Sequence, residues 1–208
     1  MTATARALEP RPHGVLHPWT RAAVVGLSGT GKTTFAKRIL APASRVVYFD
    51  PCHDYRDVAV PIRVDELARD ASILRASELC ISVEPAGADD RELALEVELV
   101  IARCREARDL VLCLDEVGDY GAAAIKPLSR LARNGRHDGI ASVYVTQSAV
   151  EIPKVCRRQL THVFSFLQID PDDLEALRKR CGDPFVAAVK SWTRGAPPAR
   201  WVLPSLLE

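Results

Sequence analysis

This sequence of 208 residues has little net charge, few amide side chains and no long apolar run. Its 28 Lys and Arg residues nearly balance 27 Asp and Glu, which leaves a formal net charge of +1. This balance excludes a strongly basic protein that coats nucleic acid, while a local basic patch stays compatible with nucleic-acid binding. No apolar run approaches the ~20 residues that cross a bilayer, and the N-terminal stretch lacks the apolar centre of a secretion signal. We therefore expect a cytoplasmic protein with no membrane span.

None of the six cysteines belongs to a C-x-x-C pair, which argues against a zinc ribbon. Cys80 and Cys113 lie inside apolar runs, so we expect both to be small core residues and free thiols. Cys52 and His53 offer two adjacent metal ligands without two more, and the five histidines show no metal-ligand spacing. Asn and Met occur once each, and six Lys stand against 22 Arg. A GC-rich genome and a hot habitat both explain that bias.

Apolar runs alternate with segments of helical periodicity from Thr20 onwards. The predicted strands cover 22–25, 45–49, 79–83, 110–114, 141–145 and 163–166, with 200–203 as an added edge strand. The predicted helices cover 33–40, 64–69, 89–108, 122–133 and 171–180. This alternation predicts an α/β fold, a mainly parallel sheet with helices on both faces. Residues 1–19 hold three prolines without periodicity and are interpreted as an arm, and 20–208 as a single domain.

The segment 26–33, G-L-S-G-T-G-K-T, matches the phosphate-loop pattern G-x-x-x-x-G-K-[ST] between a predicted strand and helix. Its glycines let successive N–H groups point at phosphate oxygens, and the following helix aims its N-terminus at the same anion. Lys32 would reach the β- and γ-phosphates of ATP, and the Thr33 hydroxyl would bind Mg²⁺. The predicted nucleotide-binding residues are Gly26, Leu27, Ser28, Gly29, Thr30, Gly31, Lys32, Thr33 and Thr34.

Two carboxylates end the apolar strand at 110–114. Asp115 would hold Mg²⁺ directly or through water, and Glu116 could polarise an attacking water. A base for water suits a hydrolysing ATPase, whereas a small-molecule kinase must exclude water. Gln147 follows the next strand, where its amide can hydrogen-bond both the γ-phosphate and the water.

One arginine between the predicted helix at 122–133 and the strand at 141–145 has two open roles. Arg136 precedes the strand at 141–145 and could cap a helix C-terminus or reach a neighbouring subunit's site as an arginine finger. Arg130 and Arg133 compete for that role.

Four segments together resemble the FtsK/HerA group of DNA-translocating P-loop ATPases. They are G-L-S-G-T-G-K-T-T from 26, V-V-Y-F-D-P-C-H-D-Y from 46, L-V-L-C-L-D-E-V from 110 and N-G-R-H-D-G-I-A-S-V-Y-V-T-Q from 134, the last continuing to T-H-V-F-S-F at 161–166. The resemblance covers roughly 20–168 and implies a RecA/ASCE-like P-loop fold. It assigns nucleotide-site roles with ATP and Mg²⁺ to Lys32, Thr33, Asp115, Glu116 and Gln147. It favours Arg136 as the finger, with Arg157 or Arg158 as second choice.

The group's members work as ring-shaped oligomers that move DNA. The resemblance therefore implies a homo-oligomeric ring, a hexamer or a pentamer, with double-stranded DNA held by pore loops. Candidate DNA contacts are the segment 56–63, Lys154, Arg157 and Arg158, which would hold phosphates rather than read bases.

The small size of the chain is similar to that of genome-packaging ATPases of membrane-containing icosahedral viruses such as tectiviruses. That likeness implies packaging of double-stranded DNA into a preformed capsid, in the host cytoplasm or in association with the virion. A capsid vertex or a viral membrane protein would be the partner. Three alternatives stay open: a phage-assembly or conjugation motor, a small-molecule kinase, and a nucleotide-binding scaffold without turnover.

Overall fold

The computed structural model describes residues 17–204. Eight strands form a single sheet in the order β3-β4-β2-β5-β6-β1-β7-β8. They are β1 (Arg21–Val25), β2 (Arg45–Phe49), β3 (Val60–Arg63), β4 (Leu79–Glu84), β5 (Val111–Leu114), β6 (Ala141–Thr146), β7 (His162–Ser165) and β8 (Ala199–Val202). All neighbouring strands are parallel except β7 and β8, which run antiparallel. Most of the predicted arm, 1–19, lies outside the described residues, and its division from 20–208 stays a prediction.

Eight α-helices connect these strands within the described range. They are α1 (Lys32–Leu40), α2 (Val64–Arg69), α3 (Asp90–Ala107), α4 (Val117–Tyr120), α5 (Ile125–Asn134), α6 (Lys154–Arg157), α7 (Pro171–Cys181) and α8 (Asp183–Lys190). Asp89 caps α3 and Asp170 caps α7, each accepting hydrogen bonds from backbone N–H groups of the first turn. None of the helices in this range combines the length and apolarity that crossing a bilayer demands.

Side chains that alternate along the central strands supply two apolar layers. Val46 and Tyr48 of β2 face the layer that packs against Phe35 of α1. Val47 and Phe49 face the opposite layer, which buries the apolar sides of α3, α5, α7 and α8. Strand β5 is buried at every position, as a strand covered on both faces should be. The predicted α/β fold with a mainly parallel sheet between helices is confirmed.

The structure departs from the sequence expectations at three places. Cys80 is exposed rather than in the core, because its side chain lies on an open part of β4, where its thiol donates to the Val58 carbonyl oxygen at 3.1 Å. Cys113 is buried as expected. Strand β3 and the helices α4, α6 and α8 had no predicted counterpart, and α5 begins at Ile125 rather than at 122.

The strand order brings three loops to one edge of the sheet. Strand β6 lies between β1 and β5, so the carboxyl ends of these parallel strands are neighbours. The register pairs Val25 with Thr146, and Leu114 with Tyr144. The residues that follow β1, β5 and β6 therefore meet where ligands of open α/β sheets usually bind.

Candidate functional site

The loop between β1 and α1 has the backbone form that a phosphate requires. Gly29 and Gly31 adopt left-handed φ angles of 72° and 96°, which other residues rarely accept. A Cβ atom at either position would meet no atom within 4 Å, so space for a ligand lies beside them. Gly31 caps α1 without a side-chain hydrogen bond, which leaves the N–H groups of the first turn available to an anion.

Internal contacts hold the rest of this loop in place. The Thr30 hydroxyl donates to the Leu27 carbonyl oxygen at 2.7 Å, and the Leu27 N–H donates to the Leu167 carbonyl oxygen at 3.2 Å. A Cβ atom on Gly26 would lie 2.6 Å from the Cβ of Phe166, so only glycine fits where β1 enters the loop. Ser28 is exposed at the tip.

Lys32 is buried at the first position of α1, and its ammonium group donates to the Leu27 carbonyl oxygen at 3.3 Å. Burial lowers the pKa of Lys32, while the charges of Glu116, Asp115 and Glu151 oppose that shift. Thr33 is half-buried and Thr34 is exposed in the same turn of the helix. The structure thus places the predicted lysine beside the predicted carboxylates.

Asp115 is 2% exposed at the end of β5. Burial raises the pKa of its carboxyl to about 7, although the Glu116 N–H donates to its Oδ1 at 3.0 Å and favours the charged form. The Tyr120 hydroxyl donates to its carbonyl oxygen at 2.9 Å and fixes the backbone. Burial disfavours the charged form of this carboxyl, and a bound cation would stabilise it.

Glu116 is half-buried and adopts a left-handed conformation, with φ 45° and ψ 49°. Burial raises the pKa of Glu116, while the Lys32 charge and a hydrogen-bonding contact with the Gln147 side chain oppose the shift. Gln147 itself is exposed, and its main-chain carbonyl oxygen accepts a hydrogen bond from the side-chain amide of Gln168 at 2.7 Å. The structure therefore brings together Lys32, Asp115, Glu116 and Gln147, as the sequence predicted, and strains the backbone at one of them.

Sequence reasoning missed two acidic residues around this cluster. The carboxylate of Glu151 accepts hydrogen bonds from the Thr146 hydroxyl at 2.5 Å and from the Ser148 N–H at 3.2 Å. It thereby fixes the turn that carries Gln147, and its charge acts on both Lys32 and Glu116. No spacing rule signals this role, because Glu151 lies in an irregular segment.

The second acidic residue that sequence reasoning missed is Asp50, which directly follows β2. It is fully buried and accepts hydrogen bonds from the Asp54 and Tyr55 N–H groups and the Ser82 hydroxyl, at 2.8, 3.0 and 2.7 Å. These bonds fold the D-P-x-x-D-Y segment into a turn that buries Tyr55 against Tyr48. The segment was noticed only through its resemblance.

The predicted arginines lie away from the cluster in the same chain. Arg136 is exposed in the 3-10 turn Gly135–Asp138, which precedes β6, whereas the cluster lies at the carboxyl ends of the strands. Arg130 and Arg133 belong to α5, on the approach to that turn. Arg157 is half-buried at the end of α6, and Arg158 follows it exposed.

The residues present fit a magnesium nucleotide. Asp115 and Thr33 offer the oxygen ligands that Mg²⁺ prefers, and Asp115 is a buried carboxylate without an ion pair in the described part of the chain. The glycines leave a cradle that any Cβ would narrow, and Lys32 lies beside it as a cation. Oxygen ligands, a lysine and unpaired helix N–H groups together suit a triphosphate better than a neutral ligand.

The fold is the one that P-loop NTPases of known structure share. Two similar solved structures are the genome-packaging NTPase B204 of Sulfolobus turreted icosahedral virus 2 with AMP and with ATPγS. The AMP complex is 16% identical, with a TM-score of 0.64 over 92% of this chain and 96% of the other. The ATPγS complex is 16% identical, with a TM-score of 0.63 over 86% and 90%.

A third similar structure is B204, the DNA-packaging ATPase of Sulfolobus turreted icosahedral virus. It is 15% identical, with a TM-score of 0.62 over 86% of this chain and 90% of the other. No protein-family model and no curated protein matches the chain. At these identities the comparisons confirm the expected fold.

Proposed function

We propose that the protein is an ATP-hydrolysing motor that moves double-stranded DNA and packages a viral genome into a preformed capsid. The observation that carries the proposal is that Glu116 and Gln147 follow the neighbouring strands β5 and β6, beside Lys32 and the buried Asp115. The similar solved structures are described as genome-packaging and DNA-packaging enzymes, and two of them hold nucleotides.

In the proposed reaction, the loop N–H groups and Lys32 hold the triphosphate. Thr33 and Asp115 would bind Mg²⁺, which neutralises phosphate charge when present. Glu116 accepts a proton from water as the water oxygen bonds to the γ-phosphorus, and the bond to the β-phosphate oxygen breaks to release ADP. Because burial raises the pKa of Glu116, its basicity lies closer to that needed near neutral pH. Gln147 orients the water and the γ-phosphate.

The position of Arg136 supports action in trans. It lies before β6, while the loop of its own chain lies beyond the opposite end of the strands. In a ring of six or five copies, Arg136 of one subunit would complete its neighbour's site and make turnover depend on assembly. The ring would dock at a capsid vertex or on a viral membrane protein, in the host cytoplasm or on the virion.

The test is ATP turnover with and without double-stranded DNA, with the mass in solution recorded in parallel. We expect DNA to stimulate the wild type, a ring-sized species to form, and Glu116→Gln to lose turnover while it still binds ATP. The matched control is Glu98→Gln on the exposed side of α3, which should behave as wild type. Transfer of the γ-phosphate to a small acceptor, without stimulation by DNA, would instead identify a kinase.

A further inference from the structure

An open groove of about 680 Å³ lies between α6 and α7, outside the nucleotide cluster. Its lining includes five cationic and two acidic side chains. The cations are Lys154, Arg157, Arg158, Lys179 and Arg180, and the carboxylates are Asp172 and Glu175. The groove thus concentrates positive charge in a chain whose formal net charge is only +1. A local basic surface on a near-neutral protein is the pattern of a site for a polyanion.

The cations on the α6 wall have no ion pair within residues 17–204. Lys154, Arg157 and Arg158 take part in none of the salt bridges of this range, and the Nε of Arg157 is buried without a hydrogen-bond partner. On the facing wall, Glu175 is already paired with Arg178 and Lys179. The groove therefore offers positive charge that its own carboxylates do not neutralise.

The other basic segment singled out from the sequence does not share this property. Arg56 forms a two-bond ion pair with Glu84 at 2.5 and 2.7 Å. Arg63 pairs with Asp65 at 2.9 Å. Of the two candidate DNA contacts, the segment 56–63 is thus largely neutralised, and the α6 segment is not.

We propose that the groove between α6 and α7 is the surface that binds the phosphate backbone of double-stranded DNA, an inference that rests on the proposed function. DNA carries one negative charge per ~1.7 Å of helix axis. Cations spread over two helices in an open groove suit such a polymer, whereas a small phosphate compound needs an enclosed pocket. On the α7 wall, Arg180 adds a cation beyond those predicted from sequence, whereas Lys179 is already paired with Glu175. Long, flexible cations hold phosphates without reading bases.

The groove is also tied to the nucleotide cluster by direct hydrogen bonds. Asp173 of α7 is 3% exposed and accepts hydrogen bonds from the Ser148 hydroxyl at 2.7 Å and the Val150 N–H at 3.0 Å. Ser148 follows Gln147, and the same segment leads into α6. Both walls of the groove are therefore connected to the turn that carries Gln147. DNA bound in the groove and nucleotide bound in the cluster would thus both affect the position of this turn.

The experiment measures binding of a short labelled DNA duplex by the full chain at several salt concentrations. The groove variant is Lys154→Gln with Arg158→Gln, both exposed residues. The control is Arg75→Gln with Arg91→Gln, which removes equal charge from exposed positions outside the groove. Loss of two phosphate contacts should reduce the slope of log K against log salt by about 2. We expect that change in the groove variant and none in the control, with thermal unfolding unchanged in both.

Each result decides the assignment. If wild type and control bind DNA and the groove variant binds equally well with the same slope, the groove assignment is wrong while the proposed function stands. If the groove variant keeps DNA binding but loses its oligomeric mass, the groove holds carboxylates of another subunit instead. If the wild type binds no duplex, the groove assignment and the DNA part of the proposed function fail together.

Discussion

Replacing Asp115 by Asn should stabilise the empty protein, increasingly so as the pH rises. Burial raises the pKa of this carboxyl from 3.8 to about 7. The unfolded chain therefore loses the proton first, and the stability that the protonated group contributes below about pH 4 is lost as the pH rises through 7. An uncharged amide of the same shape does not incur this loss.

The magnitude follows from the distance between the two pKa values. Roughly three pH units correspond to about 4 kcal/mol, since each unit is worth about 1.4 kcal/mol. Urea unfolding of wild type and Asp115→Asn, with magnesium chelated, measures the difference at pH 5, 6, 7 and 8. We expect the advantage of the variant to grow across this range and to level off above about pH 7.

Adding magnesium and ATP should reverse the order, because only the wild type gains the binding free energy of the metal. Glu98→Gln, a change at an exposed carboxyl, is the matched control and should give only a small difference from wild type. A variant advantage that stays constant from pH 5 to pH 8 would refute the argument, because the buried charge would then not be its cause.

Three further predictions concern single contacts. Gly26→Ala should cost several kcal/mol in urea unfolding, because its new Cβ would lie 2.6 Å from Phe166. Ser148→Ala removes a hydrogen bond to Asp173, so it should weaken the stimulation of ATP turnover by DNA while turnover without DNA persists. Magnesium affinity, followed by calorimetry, should fall about tenfold per pH unit below about 7, as protons compete for Asp115.

Each of these has its own control. Gly195→Ala places a side chain at a φ of 90° with no atom within 4 Å, which isolates the backbone cost from the collision. Ser191→Ala removes a hydroxyl that bonds only locally, to the Ala188 carbonyl oxygen, and should leave DNA stimulation intact. Asp115→Asn should show no pH dependence of this kind. Equal losses in Gly26→Ala and Gly195→Ala, or in Ser148→Ala and Ser191→Ala, would contradict the corresponding explanation.

The residues at the strand ends were predictable because a parallel sheet brings its carboxyl ends to one edge. Asp115, Glu116 and Gln147 each follow a buried apolar run, and the glycine pattern marked the loop beside them. Local sequence thus predicted that these side chains would lie close together, without knowledge of the strand order.

The supporting contacts were not predictable in this way. Asp173 reaches Ser148 across 25 residues of sequence, and Gln168 reaches Gln147 across 21. Such pairs depend on how α7 packs against the sheet, which no local pattern encodes. Strand β3 escaped prediction because it is short, contains Pro61 and exposes most of its residues.

The left-handed backbone at Glu116 lowers the stability of the fold at a residue that the proposed activity requires. Holding Glu in that conformation costs roughly 1 kcal/mol or more of folding free energy. Gly or Asn adopts the conformation more readily and would recover most of that cost. Either replacement would also delete the proposed base. Under the proposed function, selection of variants for heat resistance alone would therefore enrich more stable chains that have lost ATP turnover. A higher melting temperature at this position would then accompany loss of the proposed base.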